Sequence, residues 1–136
     1  MRQKVEPEKV IKVFIPVFFS VVFLDQGTKI VSILLNFSTK KSQALAFGFL
    51  SPDLAYLTLL FLFLIFLFFP KEKDSDYFSF GLFLGGGAAN LIDRVRLGYV
   101  LDNLPFFSLF WFNLADFSIF LSICILAIRV FFKRKV

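Results

Sequence analysis

The chain has 136 residues, of which 58% are hydrophobic and 23 are Phe, and its mean hydropathy is +0.81. Soluble domains usually hold about 45–50% apolar residues, so this excess calls for lipid as solvent. His is absent and Cys124 is the single Cys, which excludes an intramolecular disulfide, Ser-His and Cys-His nucleophilic pairs, and zinc sites built on His or clustered Cys.

Four apolar stretches follow in chain order, at about 10–35, 54–70, 77–94 and 112–132. A backbone in lipid must satisfy its own hydrogen bonds, so each is expected to be a membrane-spanning helix. The whole chain, 1–136, then reads as a single integral membrane domain. The first stretch contains Asp25 and Lys29 and ends in no small-residue cleavage site, so it is expected to remain as a span. The second is almost entirely Leu and Phe. Between them, Asn36–Asp53 lies outside the membrane, with Ala44–Leu50 resting on the bilayer or forming a strand. Lys71 through Asp76 reads as a tight, solvated turn. In the third stretch Gly81 and Gly85 are four apart and Gly86 follows; small residues at this spacing let helices approach closely. Val95–Trp111 reads as strand or loop before the fourth stretch. Cys124 lies in that last span as an apolar packing residue.

The net charge of +5 is unevenly placed. Arg2, Lys4, Lys9 and Lys12 sit in the N-terminal tail, Lys71 and Lys73 join the second stretch to the third, and Arg129, Lys133, Arg134 and Lys135 end the chain. The bias of cytoplasmic loops toward Lys and Arg puts both termini and the Lys71 turn in the cytoplasm. The basic tails are short and no soluble domain presents them, so no nucleic-acid partner is expected.

A charge at the bilayer centre costs at least about 2.5–3.5 kcal/mol. Asp25, Asp93, Asp102 and Asp116 all map to the outer half of the protein. Asp25 and Lys29 share a helix face and can pair. Asn90, Asp93 and Arg94 share a face of the third helix, where Arg94 pairs with Asp93 or holds a substrate carbonyl. Asn113 and Asp116 share a face of the fourth. Asp102 and Asp116 lack a sequence-local cation; two such acids in a water-poor site share a proton, the arrangement an aspartic peptidase uses. Two other readings stand beside it. Acids in a membrane also serve proton pathways and transporters. Lys29 and Ser32 could form a Ser-Lys hydrolase pair, although Asp25 would keep the lysine charged.

Four ordered boxes carry a resemblance: Asp25-Gln26-Gly27-Thr28-Lys29, Gly86 through Arg94, Gly98 through Asp102, and Phe112-Asn113-Leu114-Ala115-Asp116. Together they resemble bacterial lipoprotein signal peptidase, or signal peptidase II, in its D-Q-x-[ST]-K, G-G-x-x-x-N-x-x-D-R, G-x-V-x-D and F-N-x-A-D patterns. The resemblance implies a mainly α membrane protein of four transmembrane helices with a small extracytoplasmic β-cradle and a membrane-lying segment. It implies an aspartic endopeptidase of the bacterial inner membrane. Such an enzyme cuts diacylglyceryl-modified prolipoproteins just before the lipidated cysteine, as a monomer, with no metal or organic cofactor. Asp102 and Asp116 match the catalytic pair. Asn90, Arg94 and Asn113 match polar residues lining the site, and Asp25 and Lys29 match the pair at the outer end of the first helix; Asp93 is counted with these supporting residues. The chain departs from the pattern at Ser42, where an Asn is usual, and at Asn103, where Phe is common.

Overall fold

A computed structural model describes residues 5–43, 52–68 and 71–133. The expected surface or strand segment Ala44–Leu50 and the basic residues Arg2, Lys4, Arg134 and Lys135 lie outside the described residues.

Helix α1 runs from Pro7 to Leu34. Pro16 has no N–H to give the helical ladder, and the turn just before it, Val10–Phe14, is wound as a π-helix. Such a wide turn is a common way to accommodate a break in the i to i−4 bonds. The helix ends in a Schellman motif. Asn36 takes a left-handed φ of 53°, its N–H donates to Ile33 O at 3.1 Å, and the Phe37 N–H donates to Ser32 O at 2.9 Å.

Strand β1, Lys40–Ser42, leads to helix α2, Pro52–Phe68. Lys71 closes α2 by donating from Nζ to the carbonyls of Phe66 and Leu67, at 2.8 and 3.3 Å. A cation there complements the negative end of the helix. Helix α3, Asp74–Leu97, begins with Asp76 accepting the N–H groups of Glu72 and Lys73 at 2.8 Å each. It stops at Gly98, whose φ of 77° only glycine adopts without strain. The helix therefore extends past the expected limit, and Val95–Leu97 are helical, not strand or loop.

The turn before α3 is also less solvated than its composition suggests. Asp76 is buried and paired with Arg129, because an acid at the third position of a helix satisfies N–H groups that would otherwise be orphaned.

Three short strands follow: β2 Val100–Asp102, β3 Leu104–Phe106 and β4 Phe110–Phe112. β1 pairs antiparallel with β2, placing Lys40 opposite Asp102. β3 pairs antiparallel with β4, placing Phe106 opposite Phe110. Helix α4, Leu114–Lys133, completes the chain.

α3 is the central helix, packed against both α1 and α4. Its glycines make this possible. A Cβ on Gly85 would stand 2.9 Å from Phe18 O on α1, and one on Gly86 would stand 2.5 Å from Ala115 O on α4. These are backbone atoms that cannot move aside, so the glycines pack helices as the small-residue pattern suggests. α2 joins through Phe66, whose ring stacks on Phe83 at 4.6 Å.

The interior is unusually polar. Asp25, Lys29, Asn90, Asp93, Asp102 and Asn113 are all buried, while Phe23, Leu34, Phe68 and Phe131 are about 70% exposed or more. α1 and the Leu114–Phe132 part of α4 are long and apolar enough to cross a membrane. An apolar exterior around a polar interior is what lipid as solvent selects.

Candidate active site

The first constellation is an ion triad. Lys29 lies one helical turn beyond Asp25, and its Nζ donates to Asp25 Oδ2 at 2.6 Å. The same ammonium donates to Asp93 Oδ2 on α3 at 2.7 Å. All three residues are at most 3% exposed. Burying an ion costs several kcal/mol unless partners fill its remaining lone pairs, and they do. Asp25 Oδ1 accepts the Ala115 N–H at 2.9 Å, Asp93 Oδ1 accepts Gln26 Nε2 at 2.8 Å, and Asp93 Oδ2 accepts the Leu101 N–H at 3.1 Å. Ala115 is in the first turn of α4, where backbone N–H groups have no helical acceptor. The triad thus ties α1, α3, β2 and the start of α4 at one point.

These contacts bear on two alternatives that the sequence leaves open. Asp93 pairs with Lys29 across the helix interface, not with the adjacent Arg94, whose Nη1 lies 3.5 Å from Asn90 O. Two carboxylates also hold Lys29, while the Ser32 hydroxyl donates to Thr28 O at 2.9 Å. The Ser-Lys reading therefore finds its lysine held by two carboxylates and its hydroxyl turned to a backbone carbonyl.

The second constellation contains the two acids without a local cation. Asp102 ends β2 and is 4% exposed; Asp116 is the third residue of α4 and is half-buried. Asn113 caps α4, its Oδ1 accepting the Asp116 N–H at 2.8 Å. With the amide oxygen so committed, Nδ2 must face the other way. It donates to Asp102 Oδ1 at 2.9 Å and to Asn90 Oδ1 at 3.2 Å. Asn90 then turns its own Nδ2 to Asp116 Oδ1, at 2.9 Å. Two amides, each at most 1% exposed, therefore link one carboxyl to the other. Burial, reinforced by the charge of Asp116, pushes the Asp102 pKa up to about 7, against the opposing pull of the Asn113 hydrogen bond, Lys29 and Lys40. A carboxyl so placed keeps its proton to well above the usual carboxylate range, and can donate or accept one near neutral pH.

Residues outside the expected set take part. Gln26 clamps Asp93, and its Oε1 accepts Arg96 Nη1 at 3.2 Å; its place beside Asp25 is the sequence signal. The backbone N–H groups of Ala115 and Leu101 leave no such signal. Asn103 is buried beside Asp102 and donates from Nδ2 to Ser32 Oγ at 3.0 Å. The departure from Phe at 103 is thus matched by a hydroxyl on α1. Ser42 pairs with Val100 at the far end of the β1–β2 ladder from Asp102.

The family model for signal peptidase (SPase) II matches residues 17–132 of this chain. The lipoprotein signal peptidase of Halothermothrix orenii is 31% identical over 119 residues, spanning 83% of this chain and 81% of that one. That of Caldanaerobacter subterraneus subsp. tengcongensis is 32% identical over 133 residues, spanning 83% and 92%. That of Helicobacter pylori strain P12 is 29% identical over 140 residues, spanning 90% and 89%. Among solved structures, a bacterial membrane enzyme determined by the in meso method shares the fold with a TM-score of 0.66 and 22% identity, over 86% of each chain. A second, also a bacterial membrane enzyme, gives 0.63 and 20% over 96% and 97%.

Proposed function

The chain belongs to the signal peptidase II family, and from that premise we propose that it is an intramembrane aspartic endopeptidase. It removes signal peptides from prolipoproteins whose cysteine carries diacylglycerol, cutting just before that cysteine. Asp102 and Asp116 are its catalytic pair. The observation that carries this reading is the amide bridge from Asp102 through Asn113 and Asn90 to Asp116.

The chemistry follows from a shared proton. The ionised carboxylate takes a proton from water as the water oxygen bonds to the scissile carbonyl carbon. The protonated carboxyl gives its proton to the carbonyl oxygen, forming a neutral tetrahedral diol. Collapse breaks the C–N bond: one diol hydroxyl returns its proton to the carboxylate that had donated one and becomes the carbonyl of the product acid, while the leaving nitrogen takes the proton that water released. The dyad ends as it began, without metal or organic cofactor. Asn90 and Asn113 hold the two carboxyls in register. Arg94, on the turn of α3 beyond Asn90, is the side chain suited to hold a substrate carbonyl. Asp25, Lys29 and Asp93 position the start of α4 and so Asp116.

The whole chain, 1–136, forms one domain in the bacterial inner membrane, with α1 to α4 as four spans, both termini cytoplasmic and the dyad toward the outer face. The basic residues support this orientation. Lys9 bonds Glu72 O at 2.8 Å and Arg129 pairs with Asp76, so the N-terminus, the α2–α3 turn and the end of α4 meet at one end. The dyad and the ion triad lie at the other end of α1 and α3. One chain holds every residue the mechanism needs, so the monomer is the working unit.

The test is cleavage of a diacylglyceryl-modified prolipoprotein by purified protein in detergent, beside Asp102→Asn and Asp116→Asn and with a chelator in parallel. Chelator-resistant cleavage lost in both variants is expected. Full activity in either well-folded variant would rule out the dyad.

A further inference from the structure

The hairpin that links Asp102 to α4 turns its most apolar side chains outward. Phe107 is 85% exposed, Leu109 74% and Phe106 41%. No charged residue occurs between Asp102 and Asp116. Phe106 stacks on Phe110 across the two strands, with centroids 5.0 Å apart, so the strands brace the tip. The tip itself contradicts ordinary turn chemistry. Leu109 N–H donates to Phe106 O at 2.8 Å, and both residues between them have positive φ, 44° at Phe107 and 63° at Ser108. Gly, Asn and Asp suit such a turn, and an aromatic side chain does not. In water, Phe107 would combine a disfavoured backbone with an exposed ring.

The same end of the molecule continues the apolar surface. Leu34, Leu35 and Phe37, where α1 ends, are 73%, 59% and 60% exposed. Phe, Trp and Leu form the apolar faces of segments that lie at the boundary of headgroups and acyl chains, and the hairpin emerges where α4 begins.

We propose that Phe106, Phe107 and Leu109 insert into the boundary between headgroups and acyl chains of the outer lipid leaflet, making the β3–β4 hairpin a lipid anchor. The inference rests on the membrane-spanning reading above and deepens it. Asp102 precedes the hairpin and Asn113 follows it, so a lipid-held tip fixes both ends of the amide bridge in height relative to the bilayer. The proposed substrate carries its diacylglycerol next to the scissile bond. Its reacting carbonyl is therefore held at the same interface by its own lipid.

Trp111 on β4 is the chain's single Trp, so its fluorescence reports on this hairpin alone. The full chain is reconstituted in phosphatidylethanolamine–phosphatidylglycerol vesicles containing phosphatidylcholine brominated either near the headgroup or near the chain end. The wild type is expected to show strong quenching, greater with bromine near the headgroup. Phe107→Asn combined with Leu109→Ser should lose most of it with helicity unchanged by circular dichroism, since Asn suits the turn better than Phe. Phe107→Asn alone gives a second variant in which the turn is relieved and part of the anchor removed. Unquenched wild-type Trp111 would overturn the proposal. So would quenching equal in wild type and both variants, or emission that depends on protein concentration and not on bromine, which would assign the tip to a second copy. Cleavage is read separately: an active wild type with unquenched Trp111 removes the anchor and leaves the peptidase standing, and an inactive but quenched wild type does the reverse.

Discussion

Replacing Asp102 by Asn should abolish cleavage and yet make the protein more stable at neutral pH than at acid pH, relative to wild type. The Asp102 carboxyl is buried, and burial together with the charge of Asp116 raises its pKa from 3.8 to about 7. Between those values the folded protein keeps a proton that the unfolded chain has released. More protons bound in the folded state means that stability falls as pH rises through the window, and the full cost is present above about pH 7. The shift corresponds to about 4 kcal/mol near pH 7 and to less than about 1 kcal/mol near pH 4. Asn carries no such cost, and its Oδ1 can keep the bond that Asn113 Nδ2 makes to Asp102 Oδ1 at 2.9 Å. Its own amide hydrogens need acceptors, and an unmade buried bond subtracts about 1–3 kcal/mol at every pH. The net gain near neutrality is then about 1–3 kcal/mol, turning to a loss of similar size near pH 4. The assay is unfolding in mixed micelles by added dodecyl sulfate, followed by circular dichroism across that pH range. A wild-type-to-variant difference that does not change with pH would refute the reasoning, because Asp102 would then ionise as an ordinary carboxyl.

Four further outcomes follow from the geometry. Gly86→Ala should cost about 1–3 kcal/mol and most of the activity, because its Cβ would meet Ala115 O at 2.5 Å. Gly87→Ala, with nothing within 4 Å, should be neutral or slightly stabilising in the same melts. Lys29→Met leaves Asp25 and Asp93 buried without their shared cation and should cost about 3–5 kcal/mol; adding Asp25→Asn and Asp93→Asn should recover much of that, and a stable single variant would show that the triad is not needed. Asn113→Ala should lose about 1 kcal/mol of helix cap and nearly all activity, whereas Asn113→Asp should keep the cap oxygen and still lose activity, since Nδ2 no longer holds Asp102. The pH profile of cleavage should fall as pH rises through about 7, when Asp102 loses the proton it donates; a rate still rising beyond that point would make Asp102 the base.

The helices and the acids were legible because lipid makes them conspicuous. A long run of Leu and Phe reads as a helix, and any charge within an apolar stretch needs a reason. Asp25 and Lys29 were read as a pair from their spacing alone, and the spacing suffices because both sit on one helix. The reading failed where partners cross between helices. Asp93 has Arg94 beside it in sequence, yet Lys29 from α1 takes it, because α3 turns Asp93 toward α1 while adjacent residues on a helix point about 100° apart. Gln26 and the Ala115 N–H were missed for the same reason. Asp76, flanked by Lys71, Lys73 and Asp74, reads locally as a solvated turn residue. Its burial depends on Arg129, more than fifty residues away, which no local pattern reports. The segment Val95–Leu97 stayed helical because α3 has Gly98 to end it and nothing earlier that would.

The site and the start of α4 are built from the same bonds. The start of a helix exposes N–H groups with no helical acceptor, and where it is buried each needs a partner. Here the Ala115 N–H goes to Asp25 and the Asp116 N–H to Asn113. The second of these bonds decides which way the Asn113 amide faces. That choice sends Nδ2 to Asp102, which sets Asn90, which sets the contact with Asp116 Oδ1. The order of donors and acceptors along the bridge is therefore dictated by a helix cap and not by the carboxyls. Such a bridge keeps its orientation while protons come and go on either acid, because the backbone N–H that anchors it does not titrate. Capping and catalysis should for this reason fail together in Asn113→Ala and separate in Asn113→Asp, where the cap oxygen survives and the donor to Asp102 does not.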